Sequence, residues 1–120
     1  MSDIVVEFSK PPFGHENTFA GLYVALVSVT KGREVAVVLR GDGVYTGLAG
    51  QDDPQGNIHL PETEQQVQDI IDLDGRVVAE REALEARGIK QEDLLEEIEI
   101  LSAREINDII LEFGDHVVTF

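Results

Sequence analysis

Short β-branched runs alternating with helical stretches predict an α/β protein, a three-layer α/β/α sandwich around a mainly parallel five-stranded sheet. Apolar runs stand at 4–8, 35–39, 77–79, 98–101 and 117–120. They are mostly continuous rather than alternating, the pattern of strands covered on both faces, as in a parallel sheet. Between them lie segments with apolar residues at helical spacing, bounded by capping residues and glycines. Strands joined through helices imply right-handed crossovers.

The run at 4–8 is the first strand. A helix over 17–31 follows, with Phe19, Leu22, Tyr23 and Leu26 on its core face and Gly32 as its stop. Ala20, Val24, Ala25 and Val27 extend its apolar surface around most of the circumference. Cover on that outer side comes either from another subunit or from tight packing within the monomer. After the strand at 35–39 a short helix is expected, capped by Asp42. Residues 51–61, with Pro54 and Gly56, form the one substantial loop. Thr63 and Gln66 have capping-box spacing, Val67, Ile70 and Ile71 form the next stripe, and Gly75 ends it. The strand at 77–79 leads into short turns over 82–95. After the strand at 98–101, Ser102 and Glu105 form a second capping box ahead of Ile106, Ile109, Ile110 and Phe113, with Gly114 as stop. The strand at 117–120 completes the sheet. No repeat or linker interrupts residues 1–120, which read as a single domain.

Nine Lys and Arg against 24 Asp and Glu give a net charge of −15. Such a field repels nucleic-acid phosphate and anionic lipid, so neither nucleic acid nor a membrane is expected as partner. There is no cysteine. That removes disulfides, thiolate metal sites and cysteine nucleophiles from consideration. Met1-Ser2-Asp3 enters Ile4-Val5-Val6 without the regions of a secretory signal, and no stretch reaches the roughly 18 apolar residues of a membrane span. A cytoplasmic location is the expectation.

In open α/β sheets ligands bind beyond the carboxyl ends of the strands. Pro11-Pro12-Phe13-Gly14 turns the chain into a helix whose free N–H groups could receive an anion, or it is simply a strand-to-helix turn. Gly41-Asp42-Gly43 lacks the lysine and spacing of a phosphate loop. His15, His59 and His116 show no ligand spacing, and neither a metal nor a cofactor is expected. His15 is the best placed of the three. His116 opens the last strand, at the end away from the expected site.

Pro11-Pro12-Phe13-Gly14-His15-Glu16-Asn17, then Gly41-Asp42-Gly43-Val44-Tyr45 with Gly50-Gln51, then Leu84-Glu85-Ala86-Arg87-Gly88-Ile89, then Asp115-His116-Val117-Val118-Thr119-Phe120, occur in one order. In that order and spacing they resemble the DsrE/DsrF-like family, which includes sulfur-relay subunits and small YchN-type proteins. The resemblance covers essentially the whole chain. It implies one or two cysteines in the loop after the third strand, one of which carries persulfide sulfur. Those positions fall here on Glu80 and Ala83. What is left of the implied pocket wall is Phe13, Gly14, Glu16, Asp42, Gly43 and Arg87. Glu80 and Glu82 are expected to make the pocket acidic, partly offset by Arg81 and Arg87.

The resemblance also implies a trimer or hexamer of identical or related DsrE-like subunits. The leading expectation is therefore a non-catalytic subunit, structural or partner-binding. A second is a protein binding a small anionic ligand through Lys10, His15 and Arg87. A third is an enzyme using Glu80, Glu82 or His15 as acid or base.

Overall fold

The computed structural model describes residues 4–10, 16–49, 63–112 and 115–120. Its strands are β1 (Ile4–Phe8), β2 (Val35–Leu39), β3 (Arg76–Glu80), β4 (Glu99–Leu101) and β5 (His116–Thr119). The sheet order is β4-β3-β2-β1-β5, and every pairing is parallel. The helices are α1 (Glu16–Thr30), α2 (Thr63–Asp72), α3 (Arg81–Ala86) and α4 (Ala103–Glu112), with 3-10 segments at Gly41–Gly47 and Gln91–Asp93. The expected α/β/α sandwich is present, and β4, the shortest strand, forms the edge beside β3.

Alternation along the strands divides the core in two. Ile4, Val6, Phe8, Val35, Val37, Leu39, Val77 and Ala79 face α1 and α2, together with Leu22, Ala25, Val67 and Ile70. Val5, Ala36, Val38 and Val78 face α4 through Ile106 and Ile109. Both faces of β2 are buried, which is why its sequence runs apolar without a break. Phe8 and Phe120 stack with ring centroids 5.7 Å apart. Gly21 of α1 comes down on this pair: a Cβ there would lie 2.5 Å from Phe8 Cε1 and 2.8 Å from Phe120 Cδ2. The missing side chain lets α1 settle over the β1–β5 side of the sheet.

Several local expectations change. Tyr23 is not a core residue but 57% exposed, whereas Ala25 is fully buried. Leu22 is buried and Leu26 packs against the core as expected, and among the described residues Thr18, Gly21 and Ala25 join them on the inward face of α1. The Gln66 side chain does not cap α2: it is buried, and its Oε1 accepts no hydrogen bond among the described residues. Asp74, at φ 69°, rather than Gly75, takes the left-handed turn after α2. Gly75 is required for closeness instead, since a Cβ would meet Ile70 Cγ2 at 2.5 Å. Gly32 does take a positive φ, 81°, after α1. The cap of α4 forms as expected, with Glu105 N–H donating to Ser102 Oγ (3.1 Å) and Ser102 N–H to Glu105 Oε1 (3.0 Å). The loop 51–61, His59, Phe113 and Gly114 lie outside the described residues.

Candidate functional site

The carboxyl ends of β1, β2 and β3 lie side by side in register, with Phe8 opposite Leu39 and Leu39 opposite Ala79. Three charged residues reach the α4 face there. Glu7 follows Val5 on that face, Arg40 follows Val38, and Glu80 follows Val78. Arg40 Nε donates to Glu80 Oε2 at 3.2 Å, while its Nη1 lies 3.5 Å from Glu7 Oε2 and 3.3 Å from Asn107 Oδ1 of α4. These side chains are largely enclosed, at 27% exposure for Arg40, 21% for Glu7 and 15% for Glu80. One guanidinium thus ties together β1, β2, β3 and α4.

A second ion pair closes the other side of the strand ends. Arg87, just past α3, reaches Asp42 Oδ1 through Nε (3.0 Å) and Nη2 (2.8 Å), and its Nη1 donates to the Ala83 carbonyl at 3.1 Å. Asp42 lies inside the first turn of the Gly41–Gly47 segment rather than capping it. The residue before that segment is Arg40, and no side chain caps the turn. Gly43 allows this turn to lie on β1, because a Cβ would collide with the Phe8 carbonyl.

The two carboxylates expected to make the pocket acidic are both engaged. Glu80 belongs to Arg40, and both oxygens of Glu82 accept from Ala103 N–H, the first residue of α4, at 3.0 and 3.3 Å. A carboxylate at a helix N-terminus faces free N–H groups and the positive end of the dipole. Arg81 is half exposed and stands 3.9 Å from Glu105. The Glu105 carboxyl is held below its usual range, chiefly by the Ser102 backbone N–H and then by the Ser102 hydroxyl. Across β3 and β4, the Arg76 guanidinium grips Glu99 at 2.6 and 3.0 Å, and that hydrogen bonding raises its pKa.

Among the expected site residues, Asp42, Gly43 and Arg87 come together. Lys10 is exposed just beyond β1, Glu16 opens α1, and Arg81 points to α4 rather than to Arg87's side. Phe13, Gly14 and His15 lie outside the described residues. His116 does open β5, at the opposite end from these groups. Ala83 is 5% exposed and packs into the α1/α2-side core. Glu7, Arg40 and Asn107 were missed. The available signal was Glu7, a lone carboxylate inside an otherwise apolar strand, with Arg40 at the end of the next strand.

A strand-end site built on a parallel α/β/α sheet defines the class, and comparison with known proteins gives the family. The sequence model of the DsrE/DsrF-like family matches residues 2–120, and the chain belongs to that family. An uncharacterised protein of Methanopyrus kandleri is 31% identical over 117 residues, covering 98% of this chain and 93% of the relative. The intracellular sulfur oxidation protein DsrF of Allochromatium vinosum is 31% identical, over 96% of this chain and 88% of its own. Among solved structures, the YchN protein of E. coli superposes with a TM-score of 0.88 at 25% identity, over the whole of both chains. No helix among the described residues is long and apolar enough to cross a membrane.

Proposed function

We propose that this chain is a non-catalytic DsrE/DsrF-like protein: a structural or partner-binding subunit related to sulfur-relay proteins, working in the cytoplasm. Its state is a homo-oligomer, a trimer or hexamer, or a mixed assembly with related cysteine-bearing subunits. The observation that carries this reading is the replacement at the family's sulfur positions. The 120 residues contain no cysteine. Glu80 is bound to Arg40, and Ala83 is packed in the core. Persulfide relay needs a sulfur that is attacked, released and attacked again, and carboxylate or methyl groups offer none. The kinship with a protein named for intracellular sulfur oxidation supports the sulfur-relay context.

The anionic-ligand reading is less well supported, because the guanidinium of Arg87 already holds Asp42 and the Ala83 carbonyl. The test is intact-mass analysis of the pure protein after incubation with a persulfide donor, alongside native mass spectrometry. No covalent sulfur and a multimeric mass are expected. A stable one-sulfur adduct, or sulfurtransferase turnover without other proteins, would refute the non-catalytic reading.

A further inference from the structure

We propose that the outer edge of β5 is a self-pairing edge, on which a second copy lays its own β5 antiparallel to form one continuous sheet across a two-fold axis. This rests on the hexameric form of the reading above, since a trimer alone has no two-fold axis, and goes beyond it by naming the edge, the symmetry and the register.

β5 is terminal in the sheet. Phe120 N–H donates to the Glu7 carbonyl at 2.8 Å, and Ser9 N–H donates to the Phe120 carbonyl at 3.1 Å. Residue 120 therefore turns both backbone groups toward β1, and by strand alternation Val118 does the same. Val117 and Thr119 turn theirs outward, where no further strand among the described residues meets them. Unpaired edges of this kind invite another chain, and proteins usually guard them with charge.

The opposite edge is guarded. β4 carries Glu99, clasped by Arg76, and follows the exposed Glu96 and Glu97. By contrast, residues 116–120 contain no Asp, Glu, Lys or Arg, and Val117 is 47% exposed. The layer above β5 has the same character. Residues 17–30 carry no charged side chain, and Gly21 sits directly on the Phe120 ring. Val24, one turn further along that flank, is 36% exposed.

A second copy is the fitting occupant because it brings the same −15 charge. Two such molecules can approach closely only across surfaces that keep their carboxylates apart, and this strip and flank do so. The outward residues also fit a two-fold axis. Centring it on Val118 sets Val117 opposite Thr119 of the partner subunit, and Thr119 opposite its Val117. Each such pair exchanges both N–H···O bonds, as in a regular antiparallel ladder. An axis perpendicular to the sheet keeps the α1 layers on one side, so the Val24 flanks can meet above the junction.

Thr119→Pro removes an outward N–H while leaving the bonds to β1, a place where an edge strand tolerates proline. Val117→Lys puts a charge on the same edge. Sedimentation of the full chain at micromolar concentration should show self-association about tenfold or more weaker in either variant, with native circular dichroism retained. Losing one bonded pair is of this order. Hydrogen exchange of the wild-type oligomer should find the Val117 and Thr119 amides as protected as those of Val118 and Phe120. A wild-type oligomer with rapidly exchanging Val117 and Thr119 amides, or one indifferent to Val117→Lys, would overturn the edge pairing while leaving the subunit reading intact. If Thr119→Pro fails to fold, Val117→Lys and the exchange pattern decide. A monomeric wild type would overturn the pairing and the homo-oligomer together, whereas the persulfide test judges the non-catalytic reading separately.

Discussion

Replacing Arg40 by Met tests whether the strand-end cluster is a structural keystone. The substitution keeps most of the stem and deletes the guanidinium that lies 3.2 Å from Glu80, 3.5 Å from Glu7 and 3.3 Å from Asn107. Fully exposed ion pairs contribute about 0–1 kcal/mol, and breaking a buried pair costs about 3–5 kcal/mol. With its side chains 15–27% exposed, this cluster lies between those limits, at roughly 2–3 kcal/mol. For a chain of this length that corresponds to a fall in Tm of about 6–12 °C. Thermal unfolding by circular dichroism at one fixed protein concentration reads it, since Tm depends on concentration in an oligomer. Most of the loss should come from carboxylates left without a cation, so Arg40→Met with Glu80→Gln should be more stable than Arg40→Met alone. A loss below about 0.5 kcal/mol, or strict additivity of the two changes, would show that the carboxylates are solvated and the cluster holds nothing.

Further outcomes follow from the same geometry. Ala83→Cys should accept sulfur from a persulfide donor only slowly, read by intact mass, because a thiolate at a 5%-exposed core position is disfavoured. Adding Glu82→Gln should not speed it, since that carboxylate is bound to the start of α4. Gly43→Ala should cost about 1–3 kcal/mol in denaturant unfolding, as its Cβ meets a backbone carbonyl that cannot give way. Ser102→Ala should cost about 1 kcal/mol through the lost cap of α4. Glu105 has a lowered folded pKa, so its contribution is present above its ordinary value of 4.5 and lost as pH falls through the folded value. The stability gap between wild type and Glu105→Gln should therefore close on acidification, and a gap unchanged at low pH would refute that assignment. On the proposed oligomeric reading, Val24→Glu should dissociate the assembly in sedimentation, and no change would remove α1 from the interface.

The sheet was legible because its information is local. A strand buried on both faces must be apolar throughout, and β2, Val35–Leu39, has no polar residue to blur the signal. The α4 cap was equally local, since Ser102 and Glu105 satisfy each other within one turn. What failed depended on distance. Tyr23 fits the helical stripe of α1 by spacing, but Gly21 and the Phe8–Phe120 stack set how the helix lies, and that contact joins residues about a hundred positions apart in sequence. Gln66 had the right spacing for a cap, but its side chain is buried. Asp42 looked like a local cap because Arg87, its partner, lies 45 residues away.

The same distinction bears on the carboxylates at and just after the end of β3. From the sequence, Glu80 and Glu82 look like an acidic pocket that a thiolate would avoid. In the structure they are neutralised by two different devices, a guanidinium from the neighbouring strand and the N-terminal N–H of a helix. Each carboxylate joins elements distant in the chain: Glu80 binds β3 to β2, and Glu82 binds α3 to α4. At this strand end Glu80 is turned to Arg40, Glu82 to the first residue of α4, and Asp42 to Arg87. An anion approaching the Arg87 guanidinium would have to displace Asp42. The faces without charge lie elsewhere, along α1 and β5, where a neighbouring subunit can be accommodated without opposing carboxylates.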